Sequence, residues 1–181
     1  MFTTQEIKIA NATSRSNGAT AIGKDGTIKA IVPIFISKNV CYDCSVLDFG
    51  AGKSAIHTKW LKEQGFKNVT AYDFGANCID GLHDASALSK KYEVVFASNV
   101  LNTNSSFDML CGTIGQVYDC LQPGGLFICN YPSSPRKMDL SAKSLLEIIT
   151  SIFNIESTND IKRVGGTNSA PLWMIRKPFV N

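Results

Sequence analysis

The residues best suited to chemistry gather in one stretch, Val46-Leu47-Asp48-Phe49-Gly50-Ala51-Gly52-Lys53-Ser54-Ala55. Gly50 and Gly52 let the backbone turn tightly and come close to a ligand. Asp48 puts a carboxylate at the end of an apolar run, where burial without a partner is costly. Two phosphate-binding readings of this stretch each meet an objection. Gly52-Lys53-Ser54 matches the end of a phosphate loop, but that loop needs a glycine where Leu47 stands. Gly50-x-Gly52-x-x-Ala55, with Asp73 further on, fits a nicotinamide dinucleotide fingerprint. Such sites are apolar at the position of Asp48, so an NAD-dependent oxidoreductase ranks third among the functions considered.

The same stretch resembles motif I of the class I S-adenosylmethionine-dependent methyltransferases, apolar-apolar-Asp-x-Gly-x-Gly. The resemblance runs in order over residues 45–131. Ala71-Tyr72-Asp73 is similar to motif II, His83-Asp84-Ala85 to motif III, and Leu121-Gln122-Pro123-Gly124-Gly125-Leu126 to the turn before the family's fifth strand. Ala97-Ser98-Asn99 ends the strand beside which the family's reaction centre lies. The resemblance implies S-adenosylmethionine as methyl donor and S-adenosylhomocysteine as product. It implies cofactor contacts at Asp48, Gly50, Ala51, Gly52, Asp73, Phe74, Asp84, Ala85 and Ser98. Of these, Asp48, Gly50 and Gly52 would serve the cationic methionine half, Asp73 the ribose hydroxyls, and Phe74, Asp84 and Ala85 the adenine. Asn99 is the candidate at the reaction centre. Arg15, Tyr131 and Arg136 are candidates for contact with the acceptor, the last two from a proline-rich loop. Ser54 replaces the third motif I glycine, and a small residue still packs there. Only eleven positions separate Asp73 from Asp84. Either the family's second helix and third strand are cut down, or Asp84 does not reach adenine. Asp73 also suits a turn cap, and Asp84 a cap for the segment starting at Ala85.

The elements that must position these residues follow from periodicity. Ser45 to Phe49, Val69 to Tyr72, Tyr92 to Ala97 and Leu126 to Asn130 are short apolar runs of the kind buried in parallel sheets. Helices are expected over 53–64, 106–121 and 141–153, with a shorter one within 28–39 near Pro33. Residues 11–27, rich in Ser, Thr, Asn and Gly, read as an irregular arm. Two late strands are expected, Ile155 to Val164 and Leu172 to Arg176. The alternation predicts an α/β fold with a mostly parallel sheet. The resemblance implies the class I methyltransferase type: a single doubly wound domain over 1–181, with a late antiparallel strand near Leu172 to Arg176. Within it, 1–27 would be an arm or lid, 45–131 the cofactor-binding core, and 132–181 a C-terminal helix and strands. Ligands of such sheets sit at the carboxyl ends of the strands.

Composition excludes broad alternatives. The 181 residues are 44% hydrophobic and 18% charged, with a net charge of +3. That suits a globular fold and neither demands nor excludes nucleic acid. No apolar run reaches the roughly 20 residues of a membrane span, and no export signal is evident. The expected setting is therefore cytoplasmic, with six reduced cysteines. Cys41-x-x-Cys44 lacks a second pair at ligand spacing, so no metal site is expected. His57 is expected on the surface of the first sheet-packed helix. The prolines and Pro-Cys dipeptide of DNA-base methyltransferases are missing after Asn99. The acceptor stays open, with a small molecule or nucleic acid favoured. The alternative is an inert protein of the same fold that holds the cofactor or serves as a partner subunit.

Overall fold

The computed structural model describes residues 2–21 and 27–179, with side chains for 2–13 and 27–179. Among the described residues, six strands form one sheet in the order β2-β1-β3-β4-β6-β5. The strands are β1 (Ser45–Phe49), β2 (Asn68–Tyr72), β3 (Tyr92–Ala97), β4 (Leu121–Asn130), β5 (Ile161–Gly166) and β6 (Pro171–Arg176). The first four run parallel, and β6 pairs antiparallel with both β4 and β5. This is the predicted mostly parallel sheet with a late antiparallel strand.

Alternation along the strands divides the core into two layers. Leu47, Phe49, Val95, Phe127 and Cys129 pack with helices α4 (Phe107–Cys120) and α5 (Ala142–Phe153). On the other face Val46, Val94, Phe96 and Ile128 meet helices α2 (Ile31–Asn39) and α3 (Ile56–Glu63). Burial on both faces explains why these strands read as continuous apolar runs. Local signals set the helix ends. Ser106 and Ser141 cap α4 and α5 by accepting from Met109 N–H and Ser144 N–H at 3.0 Å each. Pro33 falls in the first turn of α2, where its missing N–H costs little.

Three expectations change. Residues 11–27 were expected to be irregular, but helix α1 (Thr4–Ala21) occupies most of them, and 22–26 lie outside the described residues. Thr3 and Glu6 form a capping box: Thr3 N–H donates to Glu6 at 2.8 Å, and Glu6 N–H to Thr3 Oγ1 at 3.2 Å. Thr13 bonds back to the Ile9 carbonyl at 2.9 Å, which lets a hydroxyl residue sit inside a helix. Strand β4 starts at Leu121 rather than 126, because Pro123-Gly124-Gly125 enters the sheet as an irregularity paired with Lys177. Strand β5 starts at Ile161 rather than 155, because the intervening residues close the end of α5 and make a short turn.

Between Asp73 and Tyr92 lie only two single 3₁₀ turns, Gly75–Asn77 and Ala87–Ser89. Strand β2 is therefore an edge of the sheet. The span that the resemblance would fill with a second helix and third strand is this short connection.

Candidate active site

The glycine turn follows β1 at the carboxyl edge of the sheet. Gly50 and Gly52 have φ of 77° and 70°, a region that disfavours residues with a Cβ. A Cβ on Gly50 would lie 2.6 Å from Val100 Cγ2, so the turn also needs a bare backbone there. Gly50 N–H and Ala51 N–H both donate to the Tyr72 carbonyl at 2.9 Å, joining the turn to the end of β2.

Asp73, next on β2, is 5% exposed and accepts from Gly52 N–H and Phe74 N–H at 2.7 Å each. Burial raises its pKa, and these donors, with Asn77, act against the rise. His83 secures the turn from outside. Its Nδ1 accepts from Ile79 N–H at 3.1 Å, so Nε2 carries the proton and donates to the Gly52 carbonyl at 2.9 Å.

These groups border a cleft of about 280 Å³. Its floor is Gly50, Ala51 and Gly52, and one wall is Asp73, Phe74 and Asn77. The facing wall is Ser98, Asn99, Val100 and Thr103 after β3, and the start of α3 closes one end. Helix α1 crosses it with Ala10 and Asn11. Asn77 holds the helix there, its Nδ2 donating to Asn11 Oδ1 at 3.0 Å, and Ile7 fits against Gly75. The ring of Phe2 meets that of Phe74 edge-on at 5.6 Å.

Asn99 adopts φ of 58°. Its N–H donates to Asn130 Oδ1 and its Oδ1 accepts from Asn130 Nδ2, both at 2.7 Å. This pair ties the ends of β3 and β4 together. The Asn99 amide nitrogen keeps its two donors without a partner among the described residues.

The predicted site residues thus fall into groups. Gly50, Ala51, Gly52, Asp73, Phe74, Ser98 and Asn99 line the cleft. Asp48 lies beneath it, 1% exposed, with Thr58 Oγ1 donating to its Oδ2 at 2.8 Å. Burial pushes its carboxyl up to about 7. Asp84 and Ala85 line a separate depression along the β2 edge. Asp84 there accepts from Ser86 and pairs with Lys90 at 2.6 Å, which lowers its carboxyl to about 2. Tyr131 is 1% exposed, and Arg136 lies 4.0 Å over its ring while donating to the carbonyls of Tyr131, Pro132 and Leu140. Both residues hold their own loop together and stand apart from the cleft lining. The side chain of Arg15 lies outside the described residues.

His57 departs from its expected place on the surface. It is 8% exposed and borders the cleft, and its Nε2 has no hydrogen-bond partner among the described residues. Burial lowers its pKa to about 4, so the ring is neutral. Asn77, Val100 and Thr103 also border the cleft and carried no signal in the motifs. For His57 the usable signal was its place in the first turn of the helix that the glycine turn opens.

Comparison with known proteins agrees with this architecture. A family model described as a methyltransferase domain matches residues 13–163. A search of curated protein sequences finds no match. Among solved structures, the Burkholderia thailandensis 1,6-didemethyltoxoflavin-N1-methyltransferase, bound to 1,6-didemethyltoxoflavin and S-adenosylhomocysteine, is 18% identical with a TM-score of 0.60. The match covers 98% of this chain and 92% of that one. The N-methyltransferase NodS from Bradyrhizobium japonicum WM9, bound to S-adenosylhomocysteine, is 15% identical with a TM-score of 0.59, over 92% and 98% of the two chains. At such identities the likeness is one of fold.

Proposed function

Because the chain belongs to the methyltransferase-domain family matched over residues 13–163, we propose that it transfers a methyl group from S-adenosylmethionine to a small-molecule acceptor in the cleft between β1, β2 and β3. The observation that carries this reading is Asp73, buried at the end of β2 and anchored to the glycine turn by the 2.7 Å bond from Gly52 N–H. A carboxylate offers about four acceptor positions. Two backbone donors and Asn77 leave room for a ribose hydroxyl. The residues present thus fit the donor: the glycine turn and the start of α3 would hold its methionine half, and Phe74 would flank its adenine.

When bound, S-adenosylmethionine supplies a sulfonium methyl group open to in-line attack. The chain's part is to position and to exclude water. Ser98 and Asn99 would stand at the reaction centre, as the resemblance implies, and the free Asn99 amide donors would orient the acceptor. The Asn99–Asn130 pair keeps that amide in one orientation. Helix α1, which borders the cleft with Ala10 and Asn11, would limit entry of water. The titratable side chains bordering the cleft, among the described residues, are Lys53, His57 and Asp73. None belongs to the Ser98–Asn99 wall, which favours an acceptor whose attacking atom has a free lone pair at neutral pH. The Burkholderia enzyme is named as an N1-methyltransferase and binds 1,6-didemethyltoxoflavin.

Calorimetric titration with S-adenosylhomocysteine tests the reading. Asp73→Ala is expected to weaken binding by roughly ten- to a hundredfold. A wild-type protein that binds neither S-adenosylhomocysteine nor S-adenosylmethionine at millimolar concentration would overturn it. Formation of S-adenosylhomocysteine over time, with cell extract as acceptor source, would dispose of an inert cofactor-holding role.

A further inference from the structure

The turn that feeds β1 carries two cysteines away from the cleft, Cys41-Tyr42-Asp43-Cys44. Cys44 N–H donates to the Cys41 carbonyl at 3.1 Å, which closes a β-turn with a cysteine at each end. Such a turn keeps its end Cα atoms within about 7 Å, the outer limit for a disulfide without backbone movement. The Cys41 sulfur acts on the Cys44 thiol both by charge and as a side-chain hydrogen-bonding group, so the two sulfurs are neighbours. Both are free, Cys41 exposed and Cys44 half-buried. The surroundings hold the turn in this shape. Lys67 N–H donates to the Tyr42 carbonyl at 3.1 Å, and Asn68 Nδ2 to the Asp43 carbonyl at 2.9 Å. Asp43 pairs with Lys67 at 2.7 Å, and the ring of Tyr42 meets that of Phe66 edge-on at 4.9 Å. The chain leaves the turn through Ser45, whose N–H donates to Glu93 at 2.7 Å. Among the described residues no group of three or more His, Cys, Asp or Glu could hold a metal ion, so these thiols lack the further ligands that zinc takes.

We propose that Cys41 and Cys44 form a reversible dithiol–disulfide site that exchanges with small disulfides and thiols of the glutathione class. The site is independent of the cofactor reading, since it lies at the amino end of β1 and the cleft at the carboxyl end. Exposure makes Cys41 the sulfur that an incoming disulfide, RSSR, reaches first. The Cys41 thiolate attacks one sulfur of RSSR. The Cys41–SR bond forms, the RS–SR bond breaks, and RS⁻ leaves. The Cys44 thiol then gives its proton to solvent and attacks the Cys41 sulfur. The Cys41–Cys44 bond forms as the Cys41–SR bond breaks, and a second RS⁻ leaves. The protein is oxidised by two electrons and gives up two protons, and RSSR is reduced to two RSH. Burial, the Glu93 carboxylate and Cys41 raise the Cys44 thiol above its usual range, so Cys44 stays protonated until the second step. The turn is already fixed by Lys67 and Asn68, so closing the bond has little left to order.

Equilibration of the full chain in buffers of oxidised and reduced glutathione tests the site, read by trypsin digestion and mass spectrometry. Trypsin cuts after Lys38 and Lys53, so the peptide 39–53 carries these two cysteines and no other. With oxidised glutathione in excess, that peptide is expected to lose two hydrogen atoms, and reduced glutathione is expected to restore them. The equilibrium constant for closing the bond is expected to be about tenfold larger in the folded protein than in the urea-unfolded chain, because the turn is preorganised. Cys44→Ser is expected to stop with glutathione held on Cys41. Cys41→Ser leaves only the half-buried thiol and is expected to react about tenfold more slowly. A wild-type peptide that stays a dithiol, or takes up glutathione on each sulfur, would overturn the proposal. Equal constants in the folded and unfolded chains would do the same, as would loss of the folded circular dichroism spectrum on oxidation. The wild-type arms need no variant, so they decide the matter even where a serine variant does not fold.

Discussion

Asp48 and His57 are both buried and both titrate far from their usual ranges, in ways that oppose each other. Burial raises Asp48 from 3.8 to about 7. Between these values the folded protein binds the extra proton, so Asp48 makes stability fall as pH rises from about 4 to 7. Burial lowers His57 from 6.5 to about 4. Over that window the unfolded chain binds the extra proton, so His57 makes stability fall as pH drops. The two slopes largely offset between pH 4 and 6.5, and single variants should reveal them. Asp48→Asn keeps an acceptor for Thr58 and is expected to gain stability relative to wild type as pH rises through this range. His57→Gln is expected to gain relative to wild type as pH falls. Each relative change is on the order of 3–4 kcal/mol at most. Urea unfolding at pH 4.5, 6 and 7.5 reads both, and parallel profiles for wild type and variants would refute the assignment. The positions of Gly50, Gly52 and Asp73 were legible from local spacing, since a strand, a tight turn and an acidic residue one strand later set their relative places. The burial of His57 was not. Its neighbours in the helix, Ile56 and Trp60, pack with Ile28, Ala30 and Ile34, and residues this far apart leave no periodic trace.

At the scale of elements, α1 is held over the cleft by few polar contacts. Glu6 caps its own helix and accepts from Ser106, the cap of α4. Asn77 joins Asn11 of α1 to the β2 end. Asn77→Ala is expected to loosen α1 without unfolding the sheet, seen as faster amide exchange in residues 4–13 than in β1 and β3. Unchanged exchange in α1 would show that Ile7 and Phe2 suffice to hold it. Ser106→Ala removes a cap and the bond to Glu6, and is expected to cost about 1 kcal/mol in thermal or urea unfolding. The composition of 11–27 pointed to an irregular arm because Ser, Thr and Asn compete with helical bonding. The capping box at Thr3 and Glu6 and the contacts of Ile7 and Asn11 with the cleft wall outweigh that tendency. The starts of β4 and β5 shifted for a related reason, since sheet pairing with Lys177 and the closure of α5 are nonlocal terms.

Across the whole molecule, the C-terminal end is fastened by a buried lysine. Lys177 Nζ donates to the carbonyls of Tyr118 and Leu121 at 2.7 and 3.0 Å and lies 3.8 Å above the Tyr118 ring. Lys177→Met keeps the packing volume but leaves those carbonyls without their donor. It is expected to cost about 2 kcal/mol, measured by urea unfolding. No described helix is long and apolar enough to cross a membrane. The sheet order places β1 and β3 side by side, so the glycine turn and the Ser98–Asn99 segment face one cleft although they are far apart in the chain. By itself the sequence determined the strand-turn-helix at Gly50 and the parallel character of the middle strands, because each is written in short-range patterning and turn chemistry, while the antiparallel final strand was implied by the family resemblance. Only the tertiary structure decided which groups meet at the cleft. Asp84 turns to Lys90, Arg136 closes its own loop, and His57 and Asn77 come in, because burial and hydrogen-bond partners are set by elements that the chain brings together from a distance.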